Sequence, residues 1–250
     1  MTEETIGTLT SLPTLPFDLI PDILIRLPVK LLLQLRCVCK SWKSLISDPI
    51  FAKKHLALST TYSLHCISYS DHKYILKSYS RDTSVFTSIP QTQFPSFHYV
   101  YYFVGSCNGI LCLAVKDPDL VVIRLWNPSI RKFKELPPIS EPYIFDMWMY
   151  GFGYDPTSDN YKVVVVLHQH GDYTFSKTEV KVHTLGTDSW KSVSVFPFTD
   201  VYVQPSGQYA SGTINWLVFT DTEQSQSFIA SFDLGNECYQ EVLLPDDSSQ

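Results

Sequence analysis

His168 and His170, separated by Gln169, come closer than any other residues to a ready-made ligand pair in this sequence. Alternate side chains of an extended strand share a face, so both imidazoles would point the same way. A zinc site wants three or four donors, and only His183 lies near in the chain. The pair therefore reads as solvated strand-end or loop histidines, and no metal ligand is assigned. Thiol chemistry could come from Cys37, Cys39, Cys66, Cys107, Cys112 and Cys238, none of them spaced C-x-x-C. Cys37 and Cys39 fall on an expected helix, where residues two apart do not share a face, and read as structural thiols. Asp71, Asp117, Asp119, Asp155, Asp159 and Asp188 stand in turn-like contexts, which aspartate favours for its own reasons. No G-x-S-x-G, P-loop or G-x-G-x-x-G is present. These residues predict no catalytic group, no cofactor and no metal site, hence a non-enzymatic chain.

Recognition chemistry is better represented. Two stretches, residues 94–103 and 143–150, are dense in aromatic residues. Aromatic anchors dominate interface hot spots. Read as linkers between strand units, these stretches offer Tyr99, Tyr101, Tyr102, Phe145 and Trp148 as contacts for a target protein. The competing reading is that they are strand core.

The elements that must position such residues come in two kinds. Residues 15–56 have helical periodicity. Ile20, Ile23, Leu24 and Leu27 make one apolar stripe. Pro21 fits only a first turn, so the helix is expected to start near Leu19 with Asp18 as its cap. Pro28 suits the opening of a second helix, whose apolar face is Leu31, Leu32, Leu35 and Val38. A third carries Trp42, Leu45 and Ile46 and stops before Pro49, because the residue preceding a proline avoids helical geometry. Three such helices leave apolar surface over.

Leu15-Pro16, Leu27-Pro28-Val29-Lys30 and Arg36-Cys37-Val38-Cys39-Lys40-Ser41-Trp42 give this segment its specific wording. It resembles an F-box, the module that plugs a protein into a cullin-based ubiquitin ligase. The resemblance implies a Skp-type adaptor as partner, and through it cullin and RING subunits. It also implies adaptor contacts at Leu15, Pro16, Ile20, Leu24, Leu27, Pro28, Leu32, Leu35, Val38 and Trp42. Phe17 and Pro21 depart from the usual pattern at the start of the first helix.

Beyond residue 60 the helical period gives way to short apolar and aromatic runs broken by Asp, Asn, Gly, Ser and Pro. A strand–turn–strand pattern recurs four times, with central aromatics Phe86, Phe133, Trp190 and Tyr239 spaced by 47, 57 and 49 residues. That matches the roughly 50-residue period of kelch-type propeller blades; a β-sandwich is the alternative. Ser106-Cys107-Asn108-Gly109, Leu125-Trp126-Asn127-Pro128-Ser129, Gly151-Phe152-Gly153-Tyr154-Asp155 and Tyr161-Lys162-Val163-Val164 resemble the plant F-box-associated domain, a divergent relative of kelch repeats that here lacks a Gly-Gly pair. The expected organisation is a disordered tail over residues 1–14, a three-helix F-box over 15–56, and an antiparallel, kelch-like β-propeller domain over 57–250. Only four units are countable before Gln250, so an incomplete, self-associating propeller is expected.

Charge divides along the same line. Residues 1–60 hold seven Lys/Arg and five Asp/Glu, and residues 61–250 hold twelve and twenty. An acidic β domain argues against nucleic acid, which requires a basic face. No apolar run approaches the ~20 residues that span a bilayer. The acidic start Met1-Thr2-Glu3-Glu4 is unlike a signal peptide, so reduced thiols in a cytoplasmic or nuclear protein are expected. The function implied is substrate recognition for an SCF-type ligase; the alternatives are an adaptor-binding competitor without degradative output and an enzyme on a propeller scaffold.

Overall fold

Prolines set the boundaries of the N-terminal helices. The computed structural model describes residues 16, 18–59, 63–70, 73–80, 86–88, 100–116, 121–139, 145–169, 177–193, 196–197, 201–220 and 227–244. It divides into two units, residues 1–62 and 63–250. The first holds α1 (Leu19–Leu24), α2 (Val29–Leu35), α3 (Lys40–Ser47) and α4 (Pro49–Leu58). Pro28, with extended ψ of 145°, stands just before α2 as its N-cap. The fourth helix corrects the three-helix expectation. Pro49 ends α3 and also opens α4, because a proline at the first helical position loses no hydrogen bond. The Asp48 carboxylate accepts from the Ile50 N–H at 2.6 Å and the Phe51 N–H at 3.2 Å, completing that start. Asp18, the expected cap of α1, makes no such bond and is itself helical in φ and ψ. Leu24, Leu32 and Phe51 form the buried centre of this unit. His55 on α4 hydrogen-bonds the Leu27 carbonyl at 2.9 Å, tying the last helix to the turn after the first.

The second unit is a series of antiparallel meanders. Sheet 1 has β1 (Ser63–Ser70), β2 (Lys73–Ser80) and β3 (Phe86–Ser88). Sheet 2 follows with β4 (Val100–Cys107), β5 (Ile110–Lys116), β6 (Val121–Asn127) and β7 (Lys132–Glu135). Sheet 3 has β8 (Phe145–Asp155), β9 (Asn160–Gln169), β10 (Lys177–Thr184) and β11 (Lys191–Ser192). Sheet 4 has β12 (Val201–Val203) and β13 (Gln208–Ala210), both paired to β14 (Thr213–Thr220), then β15 (Ser227–Asp233) and β16 (Cys238–Leu243). Apart from β12 and β13, which share β14, each strand pairs with its sequence neighbour in the sheet, which is the arrangement of propeller blades.

The recurring aromatics take one structural position. Phe86 registers opposite Tyr79, Phe133 opposite Trp126 and Tyr239 opposite Phe232, always the last strand against the one before it. Cross-strand aromatic pairs of this kind hold sheets together. In sheet 3 the pair is Trp190 with His183, ring centroids 5.2 Å apart and edge-on. The hairpins repeat as well. Asn127 accepts from the N–H groups of Ser129 and Ile130, and Asp233 from those of Gly235 and Asn236. Asp155 accepts from the Thr157 N–H and the Ser158 hydroxyl. Four residues after each, Arg131, Glu237 and Asp159 take positive φ of 54°, 53° and 55°. The side-chain acceptor supplies turn hydrogen bonds that make this left-handed residue tolerable without glycine.

Stacking explains the uninterrupted valines of β9. Val163, Val165 and Leu167 face sheet 2, where they join Cys112, Ala114 and Ile123. Val164 and Val166 face sheet 4, where they join Trp216, Val218 and Phe232. A strand buried on both faces needs no polar alternation. The inner strands β4, β8 and β13 run side by side. There the Tyr150 N–H donates to the Pro205 carbonyl, and the Tyr150 carbonyl accepts from the Gly207 N–H, both at 2.7 Å. The same carbonyl accepts from the Trp216 indole at 3.1 Å. A side chain at residue 207 would come within 2.5 Å of Ile214 and 2.6 Å of Trp216.

Two measurements check this account. Gly207→Ala should cost about 2–3 kcal/mol in thermal or urea unfolding by overpacking, against about 1 kcal/mol for Gly109→Ala, where φ is +74° but the space is open. Equal losses would show that the seam yields. The second concerns His183, which is buried. Its ring nitrogens have no hydrogen-bond partner among the described residues; the Thr187 backbone comes near without reaching bonding geometry. Burial lowers the imidazole pKa from its ordinary 6.5; the nearby Thr187 backbone and Asp188 act the opposite way and Lys134 the same way. As pH falls through about 6.5 the unfolded chain takes up the proton before the folded one, so folded stability declines on that side and is complete above it. His183→Phe, the residue type of the matching position 232, should raise stability by about 1–2 kcal/mol and remove this acid-side loss. A variant whose stability keeps the wild-type slope between pH 7 and 5 would exclude His183 as its source.

Candidate docking surfaces

The helical unit sorts its apolar residues into two sets. Leu24 and Leu32 are buried, and Ile20, Leu27, Leu35 and Trp42 pack partly buried against them. Leu19, Ile23 and Leu31 are each 44% exposed, Val38 is 63% exposed and Ile50 66%. Two i,i+4 pairs on α1 explain the division. Ile20 and Leu24 turn inward; Leu19 and Ile23 turn outward. Of the adaptor contacts expected from the sequence, Leu24 and Leu32 therefore build the centre of the unit, while Val38, Pro16 and Pro28 are exposed. Leu15 lies outside the described residues. Reading Ile20, Ile23, Leu24 and Leu27 as one stripe hid the second face; the Leu19/Ile23 spacing was its signal. Residues 18–59 carry Arg26, Lys30, Arg36, Lys40, Lys43, Lys53 and Lys54 against Asp18, Asp22 and Asp48, so the helical unit is net positive.

The second surface lies on the inner strands. Consecutive residues of an ideal strand face opposite ways, yet Tyr102 and Phe103 are 44% and 39% exposed. A register shift follows between Phe103 and Gly105, where a bulge re-aims side chains locally and Val104 and Gly105 are both buried. β8 has a matching shift between Phe145 and Met147. The Ser206 hydroxyl donates to the Phe103 carbonyl at 2.7 Å, joining sheet 4 to this end of β4. Burial, with Tyr102 close by, raises the Tyr150 phenol above its ordinary value, so it stays neutral. Residues 100–103 and 145–150 of the two aromatic stretches are strand and not linker, and residues 94–99 and 143–144 lie outside the described residues. Tyr101 and Tyr102 belong to β4, and Phe145 and Trp148 to β8. Tyr99 lies outside the described residues.

Comparison with known proteins decides what these units are. Residues 12–54 match the F-box domain, and residues 55–250 match the F-box associated beta propeller domain. The chain belongs to the F-box associated β-propeller family. An F-box/kelch-repeat protein of Arabidopsis thaliana is 34% identical over 97% of this chain and 69% of its own length. The Arabidopsis F-box protein CPR1 is 30% identical over 93% of this chain and 60% of its own length. The chain thus spans roughly three fifths to two thirds of such relatives. Among solved structures, TolB from Acinetobacter baumannii aligns with 72% of this chain and 41% of its own at 10% identity and a TM-score of 0.45. An F-box paired with an F-box associated domain is typical of non-catalytic substrate adaptors, and an F-box in general implies a Skp-type adaptor.

In the F-box associated domain, the words that carried the resemblance hold sheet 3 to sheet 4. Lys162 is buried, and its ammonium reaches the Leu234 carbonyl at 2.6 Å. It also reaches the carboxylates of Asp155 and Glu237, both at 3.2 Å. Lys191 completes the cluster on Glu237 at 2.6 Å. Burial alone would raise the Asp155 carboxyl; the Ser158 hydroxyl, the Thr157 N–H and Lys162 outweigh it and hold the pKa at about 2. Glu237 is likewise lowered, against its burial, by Lys191 and Lys162. Aspartate at position 155 was legible only as a turn former, because its cation Lys162 draws its other carboxylate, Glu237, from another sheet. On the other side, the Trp190 indole of sheet 3 donates to the Pro137 carbonyl of sheet 2 at 2.7 Å.

Lys162→Met keeps the volume and removes the charge, leaving Asp155 buried without its cation. Breaking a buried pair from one side costs about 3 kcal/mol. The stability that Asp155 contributes is present above the unfolded carboxyl value near 3.8 and is lost as pH falls toward about 2. Lys162→Met should therefore lower the melting temperature at pH 7 and weaken this acid dependence. Wild-type melting in that variant would show that the cluster is not a latch.

Proposed function

We propose that this chain is the specificity subunit of an SCF-type ubiquitin ligase. The F-box binds a Skp-type adaptor, and through it the cullin and RING subunits. The β domain holds a target protein. The observation that carries the reading is the outward apolar face of the F-box, Leu19, Ile23, Leu31 and Val38, on a unit of net positive charge. So much exposed aliphatic surface on a unit of four short helices calls for a partner, and the net positive charge favours an acidic one. Bond chemistry is supplied by the other subunits. This chain raises the effective concentration of a target lysine near activated ubiquitin. On the β domain, Tyr102 and Phe103, with Tyr101, Phe145 and Trp148 on the same inner strands, are the target contacts. Aromatics beside a fixed backbone are suited to that role.

The test is co-purification from cells that express the full chain with its adaptor. Leu19→Asp with Ile23→Asp should reduce adaptor binding by about a hundredfold, because each charge would be buried without a partner. Both residues are exposed, so helix content should be preserved; Leu24 would be a poor probe, since its replacement removes the centre of the unit. Tyr102→Ala with Phe103→Ala should retain the adaptor and lose the target. A wild-type chain that recovers no Skp-type adaptor, or a double-Asp variant that binds it undiminished, would refute the reading.

A further inference from the structure

The expectation that Cys37 and Cys39 lie on one helix does not survive. α2 ends at Leu35, and the chain continues as a turn in which the Cys37 N–H donates to the Gln34 carbonyl at 3.0 Å and the Val38 N–H to the Leu35 carbonyl at 3.1 Å. Cys39 then breaks to extended geometry, φ −155° and ψ 167°, and caps the start of α3. Both thiols are exposed, on either side of Val38, whose side chain is among the most exposed of the docking face. Arg36 and Lys40 bracket the pair in sequence. Alpha carbons separated by one residue lie at most about 7 Å apart, which overlaps the roughly 4.4–6.8 Å that a disulfide spans.

We propose that Cys37 and Cys39 are a dithiol redox couple whose oxidation by a glutathione-type disulfide switches the F-box out of its docking geometry. The Cys39 thiolate attacks one sulfur of the small disulfide; a mixed disulfide forms and one small thiol leaves. The Cys37 thiolate then attacks the Cys39 sulfur, and the second small thiol leaves. Two protein thiols are oxidised to one disulfide, and one small disulfide is reduced to two thiols. Cys39 is the first nucleophile because the Ser41 hydroxyl, 3.1 Å from its sulfur, and then the Trp42 N–H lower its pKa. Other described thiols differ. Burial lifts Cys107 to about 12 and Cys112 well above its ordinary value, and Cys238 stands alone on β16.

A disulfide across a single residue is a small, strained ring, readily reduced again, which a reversible switch requires. Closing it draws residues 37 and 39 together and rotates Val38. It disturbs both the Val38 bond to Leu35 and the Lys43 N–H bond to the Cys39 carbonyl at 3.1 Å. Trp42, one turn into α3, moves with the helix start. The effect on docking rests on the adaptor reading above; the thiol chemistry does not.

The experiment treats the reduced full chain with glutathione disulfide, caps remaining thiols, and maps peptides by mass spectrometry. A parallel titration measures adaptor affinity before and after, and again after dithiothreitol. The expected peptide over residues 37–39 has lost two hydrogens and carries no glutathione. Adaptor affinity falls about tenfold and returns on reduction. Cys37→Ser should trap glutathione on Cys39, and Cys238→Ser should behave as wild type. Free or permanently glutathionylated thiols at 37 and 39 in the wild-type chain would overturn the couple. A disulfide that leaves affinity unchanged would overturn the switch. A reduced chain that never binds the adaptor would refute the docking reading, which the untreated arm identifies separately.

Discussion

The β domain depends on the backbone of one residue. The Tyr150 N–H and carbonyl bond residues 205 and 207 across the gap from sheet 3 to sheet 4, and the same carbonyl receives the Trp216 indole. Backbone groups this deeply buried must be paired, or their desolvation is unrecovered. Glycine at 151 and 207 lets the strands approach closely enough for that pairing, because a Cβ at either place would overlap Ile214. The large cores on both sides of sheet 3 follow from this approach. So does the placement of Ser206 against Phe103, which fixes the exposed aromatic end of β4.

Around that seam the sheets are joined by different means. Sheets 2 and 3 share an aliphatic and aromatic core with one indole hydrogen bond, from Trp190 to Pro137. Sheets 3 and 4 share a comparable core and add the buried cluster of Asp155, Lys162 and Glu237. Buried ion pairs contribute little net stability compared with apolar contacts of equal size. What the cluster adds is register. The Lys162 ammonium finds the Leu234 carbonyl and both carboxylates only when the β8–β9 and β15–β16 hairpins meet in one alignment.

Sequence made some of this plain and hid the rest, for reasons that can be named. The spacing of Phe86, Phe133, Trp190 and Tyr239 located the last strand of each sheet, because an aromatic recurs there opposite the strand before it. The valine run of β9 was recognisable as a strand, yet its burial on both faces depends on neighbours far along the chain. Asp155 and Lys162 looked like an ordinary turn aspartate and a strand lysine, since Glu237 lies in another sheet. In the F-box, periodicity found the apolar residues of α1 but merged two faces. α4 was missed because Pro49 was read only as a terminator. The aromatic stretches stayed open between linker and strand core because their density masks the alternation of β4 and β8, which bulges interrupt.

The fourth helix bears on how such chains are recombined. α4 runs from Pro49 to Leu58 and crosses the junction between the two family matches, at residues 54 and 55. His55, on the far side of that junction, hydrogen-bonds the Leu27 carbonyl on the near side. An exchange that joined this F-box to another β domain at residue 54 would sever the helix and discard its fastening. The viable crossover lies after Leu58. A lineage that shuffles β domains must therefore carry this helix along with the helices before it.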